Sequence, residues 1–143
     1  MKTYKPFIAL TTILFSTTGT FAADNIPAYA MEMNTKRING LLFRYTRFNS
    51  ESPFPCLRLE LIKPQGDWNI VEKLDICEMN GLSLTEGYTY SSFENLHFGN
   101  DALDFKFNYY SNSTPGEFTQ ECSVAVSEKK MNSIQCTSPK VVE

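Results

Sequence analysis

Apolar and polar residues alternate in two neighbouring stretches of the chain, CLRLELIK (56–63) and NIVEKLDIC (69–77). A period of two is typical of strands with one buried face, and the intervening sequence PQGD (64–67) has the composition of a turn. We therefore predict an antiparallel hairpin in which Cys56 lies directly opposite Cys77. Directly opposed residues approach disulfide distance, so the two cysteines are expected to close the open end of this hairpin.

The charges of the two strands support this register. Side chains of opposite charge then face each other on one side of the hairpin, and apolar side chains face each other on the other side. A slip of one residue would mix the two faces, which makes the register specific. The predicted facing pairs are Arg58 with Asp75, Glu60 with Lys73, Ile62 with Val71, Leu57 with Ile76 and Leu59 with Leu74.

A second hairpin is predicted near the C-terminus, in ECSVAVSEKKMNSIQC (121–136). A register that places Cys122 opposite Cys136 also places Val126 opposite Asn132 and leaves the sequence EKK in the loop. Four cysteines allow three connectivities. The two rival connectivities require cysteines of different hairpins to meet, so we favour the local disulfide within each hairpin.

The middle of the chain adds strands to the C-terminal hairpin. LDFKFNYY (103–110) alternates throughout, and the turn sequence GND (99–101) joins it to a preceding strand. The predicted pairs across this turn are Phe98 with Leu103 and Leu96 with Phe105, and those with the following strand are Phe105 with Val124 and Phe107 with Cys122.

Two further stretches, 41–48 and 82–90, have the character of strands, whereas the helical signal is poor. Short strands separated by turns every 8–12 residues or so are typical of antiparallel sandwiches and barrels. We predict an all-β fold, a single-domain antiparallel β-sandwich or small barrel that is built from hairpins and stapled by disulfides. The pattern does not distinguish the sandwich from the barrel.

The N-terminal residues have the layout of a secretory signal peptide. Lys2 and Lys5 precede a short apolar run, and small residues follow around Ala22 and Ala23. The apolar run is shorter than the roughly 20 residues that span a bilayer, so a membrane anchor is not expected. We predict a signal peptide at 1–22, a single β domain at 23–143, and a periplasmic or secreted location. An even number of cysteines in an exported chain also favours disulfides.

The formal net charge of the whole chain is −3. The predicted signal peptide contains two lysines and no acidic residue, so the exported remainder has a formal net charge of −5. Nucleic-acid binding requires a basic patch and is not expected. An acidic surface would instead suit a basic protein partner.

The sequence offers little for catalysis, and we predict that the protein is not an enzyme and has no cofactor or metal. His97 is the only histidine, and the predicted register places it opposite Asp104. This pair could be a base and its orienting carboxylate, but an exposed cross-strand pair is the favoured interpretation. The remaining candidate carboxylates lie in or near separate predicted turns, namely Asp67, Glu78, Glu86 and Asp101.

Aromatic residues are concentrated around two predicted strands, including Tyr88, Tyr90, Phe93, Tyr109 and Tyr110. Ordinary sheet packing accounts for most of them. The alternation turns Tyr110 away from the core face, so it is the best candidate anchor for a partner. We consider three loops as contacts, at 77–82, 99–102 and 111–117. The predicted partner-binding residues are Tyr110, Asn112, Glu117 and Asp101.

In its size, signal peptide and number of cysteines, the chain resembles small exported β-proteins of bacteria. Examples are periplasmic inhibitors of lysozyme-like enzymes and immunity proteins against secreted toxins. The resemblance implies a binding protein that blocks a cell-wall-degrading enzyme or toxin by steric occlusion. Two alternatives remain, a small-molecule or glycan-binding β-barrel and a structural subunit of a surface or pilus assembly.

Overall fold

A computed structural model describes residues 27–142 of the chain, and these residues form an all-β fold, as predicted. The predicted signal peptide lies outside the described residues. The strands are β1 (Ala30–Ile38), β2 (Leu41–Phe48), β3 (Leu57–Ile62), β4 (Ile70–Ile76), β5 (Glu78–Met79), β6 (Leu82–Ser83), β7 (Tyr88–Phe98), β8 (Ala102–Ser111), β9 (Glu117–Ser127), β10 (Lys130–Met131), β11 (Gln135–Cys136) and β12 (Lys140–Val141).

Sheet 1 is an antiparallel meander in the order β1-β2-β3-β4. The predicted β3–β4 register is present from Leu57–Ile76 to Leu61–Glu72. The predicted pairing of Ile62 with Val71 is wrong, because a bulge lies between Leu61 and Ile62 and Ile62 pairs with Ile70. The bulge leaves Val71 without a facing residue, and its side chain is 51% exposed.

Sheet 2 contains β7, β8 and β9, with β10, β11 and β12 lying one after another along the outer edge of β9. The predicted turn at 99–101 and the Phe98–Leu103 pair are present. The predicted Leu96–Phe105 pair is wrong, because the register shifts between Glu94 and His97. Asn95 has a φ of 51° there, a left-handed conformation that Asn tolerates.

The predicted register between β8 and β9 is wrong by two residues. Phe105 faces Cys122 rather than Val124, and Val124 faces Leu103. Phe107, predicted to face Cys122, faces Gln120. Since side chains alternate with a period of two, a shift of two residues moves every pair along the strand and keeps each side chain on its predicted face.

The C-terminal hairpin pairs Cys122 with Cys136 as predicted, but Val126 faces Met131 rather than Asn132. The turn is shorter than predicted, because Glu128 and Lys129 both have positive φ values, 47° and 63°, and the strand resumes at Lys130. Such a two-residue turn matches the twist of a hairpin. One extra residue between β10 and β11 then restores the predicted register at the cysteines.

The stretch 82–90 was predicted as one strand and is instead divided. β6 ends at Ser83, and β7 begins at Tyr88 after a turn. β6 forms a small hairpin with β5, and two contacts attach it to sheet 2. Tyr88 donates a hydrogen bond to the carbonyl of Met79 at 2.5 Å, and the Asn80 amide donates to Gln120 Oε1 at 2.7 Å.

The two sheets pack face to face around one hydrophobic core. Phe43 of β2 and Phe98 of β7 contact each other across it, with ring centroids 5.4 Å apart. The largest fully buried side chains come from both sheets; they are Tyr45, Phe43, Phe107, Leu57, Leu59, Leu61, Leu103 and Val124. Within the described residues no strand pairing joins the two sheets, and the fold includes a curled half-barrel sheet.

Both predicted disulfides are present. The Cys56–Cys77 bond joins the ends of the β3–β4 hairpin, with Cα atoms 4.5 Å apart. The Cys122–Cys136 bond ties β11 to the middle of β9, with Cα atoms 4.1 Å apart. Two structural disulfides are consistent with an oxidising, extracellular environment.

Candidate functional site

The outer surface of sheet 2 carries polar and aromatic side chains in cross-strand rows. Alternation along β7, β8 and β9 turns these side chains away from the core. We call this surface the acidic face. Its rows are Tyr90 with Tyr110 and Glu117, Ser92 with Asn108 and Thr119, Glu94 with Lys106 and Glu121, and His97 with Asp104 and Ser123.

The charge of the acidic face is negative. It contains four carboxylates and a single lysine, Lys106, which gives a formal net charge of −3 when His97 is neutral. Lys106 lies between Glu94 and Glu121, so their row has a formal charge of −1, and Glu117 and Asp104 add one negative charge each in the two end rows. A shallow depression of about 600 Å³ lies beside Lys106 and the Cys122–Cys136 disulfide.

Two exposed tyrosines lie at one end of the acidic face. Tyr90 is 46% exposed and Tyr110 is 41% exposed, and their ring centroids are 6.4 Å apart in an edge-to-face arrangement. The Tyr110 hydroxyl donates a hydrogen bond to Glu117 Oε2 at 3.0 Å, and this bond raises the pKa of Tyr110. The hydrogen bond holds the ring in place, and an aromatic side chain held in this way loses little entropy on binding.

The structure brings three of the four predicted partner-binding residues together. Tyr110 and Glu117 are hydrogen bonded, and Asn112 lies in the adjoining loop. The Asn112 amide accepts a hydrogen bond from Thr89 at 2.7 Å and donates one to the Glu86 carbonyl at 2.8 Å, so it stabilises the loop. Asp101 lies in the β7–β8 turn at the opposite end of β8, roughly 30 Å away at 3.3 Å per residue.

His97 and Asp104 face each other as predicted, but their geometry is loose. His97 Nε2 is 3.8 Å from Asp104 Oδ2, and the two side chains are 69% and 39% exposed. Ser123 is in the same row, on the far side of Asp104 from His97. A serine nucleophile needs the imidazole beside it, with the carboxylate behind the imidazole, and this row has the carboxylate in the middle.

The other carboxylates considered for catalysis are dispersed. Asp67 is in the β3–β4 loop, Glu78 in β5, Glu86 in the turn before β7 and Asp101 in the β7–β8 turn. Within residues 27–142, no group of three or more His, Cys, Asp or Glu side chains is placed to hold a metal ion.

A second concave site lies on the outer surface of sheet 1, and the sequence did not predict it. We call it the sheet-1 groove. It has a volume of about 500 Å³, within the range of ligand pockets. It is lined by Pro27, Met33, Arg44, Thr46, Phe48, Arg58, Glu60, Ile62, Trp68, Ile70 and Lys73.

The floor of the sheet-1 groove contains an ion pair. Arg44 Nε lies 2.7 Å from Glu60 Oε2, and the Glu60 side chain is only 7% exposed. The pair joins β2 to β3, where the two residues face each other. Burial of a carboxylate is costly unless it is paired, so Arg44 compensates the charge of Glu60.

The rim of the groove is apolar and exposed. Trp68 is 60% exposed, Ile70 45% and Met33 42%. Trp68 is the single tryptophan of the chain, and its φ of 55° is unusual for a bulky residue. A lone tryptophan beside the predicted turn sequence PQGD was the one signal in the sequence that could have drawn attention to this site.

No family model, no curated protein and no solved structure matches the chain. Across the described range 27–142, no helix is long and apolar enough to cross a membrane.

Proposed function

We propose that this chain is an exported small binding protein, an inhibitor or immunity protein of the periplasm or extracellular space. It would act on a basic cell-wall-degrading enzyme or toxin by steric occlusion. The observation that carries the proposal is the acidic face, where two exposed tyrosines and uncompensated carboxylates share one rigid sheet surface.

The acidic face has the properties of a recognition surface. Negative charge attracts a basic partner and raises the rate of encounter. Exposed tyrosines provide large apolar contact area with a polar tip, which suits the centre of an interface. The side chains stand on the long strands β7, β8 and β9, and the Cys122–Cys136 disulfide ties the adjoining edge, so little ordering is needed on binding.

The mechanism we propose needs no chemistry from this chain. Tyr90 and Tyr110 would contact apolar surface beside the active-site cleft of the partner, and Glu117, held by Tyr110, would face basic residues at its rim. The body of the domain would then cover the cleft. An inhibitor of this kind depends on contact area and shape, so the exposed geometry of His97 and Asp104 is compatible with it.

The proposal is tested with the exported chain, from residue 23, and a panel of basic lysozyme-type muramidases and other peptidoglycan hydrolases. We expect stoichiometric inhibition of at least one enzyme and a one-to-one complex by size-exclusion chromatography. The Tyr110→Ala variant should inhibit more weakly. The Trp68→Ala variant, altered in the β3–β4 loop beside the sheet-1 groove, should inhibit like the wild type. If Tyr110→Ala inhibits as strongly as the wild type, the acidic face is not the inhibitory surface.

The alternative is a structural role in a surface or pilus assembly. Subunits of such assemblies are expected to have an unpaired sheet edge. Among the described residues, β1 pairs only with β2 and so presents such an edge. The same chromatography discriminates, because concentration-dependent polymerisation of the isolated chain would favour assembly over inhibition.

A further inference from the structure

The sheet-1 groove combines a charged floor with an aromatic rim. The function proposed for the acidic face gives the sheet-1 groove no role. The two sites are on the outer surfaces of opposite sheets. We propose that the sheet-1 groove binds a carboxylated sugar, with the sugar ring against Trp68 and the carboxylate at Arg44 and Lys73. This inference does not rest on the proposed protein contact, and either one can fail without the other.

The charges around the groove favour an anion. Arg44, Arg58 and Lys73 line it, against a single lining carboxylate, Glu60. Asp75 lies next to the lining residues, 2.7 Å from Arg58 and 3.5 Å from Lys73, and including it leaves a formal charge of +1. The sheet-1 groove is therefore positive although the chain as a whole is negative.

Arg44 has hydrogen-bond donors that are available to a ligand. Its Nε atom binds Glu60, and within residues 27–142 its two terminal nitrogens have no hydrogen-bond partner. Guanidinium nitrogens form short, strong hydrogen bonds with carboxylates, and the pair with Glu60 fixes the orientation of the remaining donors. Lys73, which is 50% exposed and 3.5 Å from Asp75, adds a second positive charge on strand β4.

Arg58 is less available than Arg44. Its Nε and one terminal nitrogen bind the two oxygens of Asp75, at 2.7 and 3.3 Å. Its guanidinium also lies over the Phe48 and Phe54 rings, 5.6 and 5.1 Å from their centroids. These contacts assign Arg58 to the wall of the groove and leave Arg44 and Lys73 to contact the anion.

The rim and the floor together favour a sugar over a lipid. One face of a pyranose ring presents C–H groups that pack on an exposed indole, while its hydroxyls require donors and acceptors. Trp68 supplies the indole, and the Glu60 carboxylate and the Thr46 hydroxyl supply polar partners on the floor. A lipid would cover the terminal nitrogens of Arg44, which is 32% exposed, without giving them hydrogen-bond partners, and this is unfavourable.

The experiment uses the fluorescence of Trp68, which reports on the groove directly because the chain has no other tryptophan. The exported chain is titrated with trigalacturonic acid, a glucuronic-acid-containing tetrasaccharide and sialyllactose. We expect a saturable shift to shorter wavelength with at least one of them. Methyl esterification of the binding glycan, which removes the charge and keeps the sugar, should weaken affinity at least about fivefold.

Variants and calorimetry then locate the site. Trp68→Ala and Lys73→Met should each weaken binding at least about fivefold, and Tyr110→Ala on the opposite sheet should leave it unchanged. Lys73 is half exposed, so the Lys73→Met variant is expected to fold. It can therefore test the site if the Trp68→Ala variant does not fold. The inference is overturned if none of the three glycans gives a saturable signal, if tetraglutamate binds as well as the best glycan, or if neither variant weakens binding.

Discussion

Arg44 and Glu60 face each other on adjacent strands of sheet 1, and their side chains form an ion pair with Nε and Oε2 2.7 Å apart. Ile62, next to Glu60 on the same surface, is 6% exposed, so both surfaces of β3 are largely covered. A carboxylate this buried depends on its partner, because removal of the partner leaves an uncompensated charge.

The first prediction concerns this pair. Arg44→Met should lower the free energy of unfolding by about 2–4 kcal/mol, since Glu60 stays buried without its partner. Glu60→Gln should cost less, because Arg44 is 32% exposed and can be solvated. In urea denaturation, the Arg44→Met, Glu60→Gln double variant should lose less stability than the sum of the two single variants. Additive losses would show that the two residues act independently.

The second prediction concerns Tyr45, which is 1% exposed and donates a 2.5 Å hydrogen bond to Glu32 Oε1. Burial, with a further contribution from Glu32, raises the pKa of Tyr45 from 10.0 to about 12. The folded state therefore favours the neutral phenol. The stabilisation is complete below pH 10 and is lost as the pH rises towards 12.

Urea denaturation from pH 9 to pH 11.5 tests whether stability falls with rising pH in this way. The wild type should lose more stability over that interval than Tyr45→Phe, which has no phenol to ionise at this position. At pH 8 the Tyr45→Phe variant should itself be less stable by about 1 kcal/mol, the worth of a typical hydrogen bond. Tyr90→Phe, at an exposed position, is the matched control. Parallel pH profiles for the wild type and Tyr45→Phe would contradict the assignment.

The all-β fold and the β3–β4 hairpin were predictable because several local signals agree there. The turn sequence, the alternation, the opposite charges of Arg58 and Asp75, and the two cysteines all require the same register. The β8–β9 pairing lacked such agreement. Apolar alternation alone cannot distinguish registers that differ by two residues, so Phe105 was placed opposite Val124 rather than Cys122.

Other features depend on residues whose effect is not visible in an alternating pattern. The bulge at Asn95 and the short turn at Glu128 and Lys129 arise from left-handed backbone conformations at residues other than glycine. β1 was not predicted, because its sequence AMEMNTKRI is mostly exposed and polar. The sheet-1 groove requires the β2–β3 pairing, and the long connection between these strands gave no register from which to place Arg44 beside Glu60.

The third prediction concerns the disulfides. Peptide mapping of the exported protein without reductant should recover Cys56 linked to Cys77 and Cys122 linked to Cys136. Replacement of either pair by alanine should cost roughly 2–4 kcal/mol of stability, measured by thermal or urea denaturation. A peptide that links Cys56 or Cys77 to Cys122 or Cys136 would contradict the register of both hairpins.

The fourth prediction concerns His97, which is 69% exposed and 3.8 Å from Asp104. His97→Ala should change the free energy of unfolding by less than about 0.5 kcal/mol, because exposed ion pairs contribute little. It should also leave inhibition of a partner enzyme within about twofold of the wild type, since the residue lies at the other end of the acidic face from Tyr110. Loss of a hydrolytic activity in a well-folded His97→Ala protein would restore the catalytic interpretation of the pair.

The last prediction concerns how a partner would bind the acidic face. Its carboxylates should act on association, because long-range attraction guides encounter and is screened by salt. Tyr110 should act on dissociation, because an aromatic anchor is desolvated only in the complex.

With an identified partner, association of the wild type should slow as NaCl rises from about 20 to 300 mM. Tyr110→Ala should dissociate about tenfold faster with a similar association rate. Glu94→Gln and Glu121→Gln together should slow association and leave dissociation nearly unchanged, which separates the two contributions. Association that does not respond to salt would exclude electrostatic attraction, and a normal dissociation rate for Tyr110→Ala would move the contact to the 77–82 or 99–102 loop.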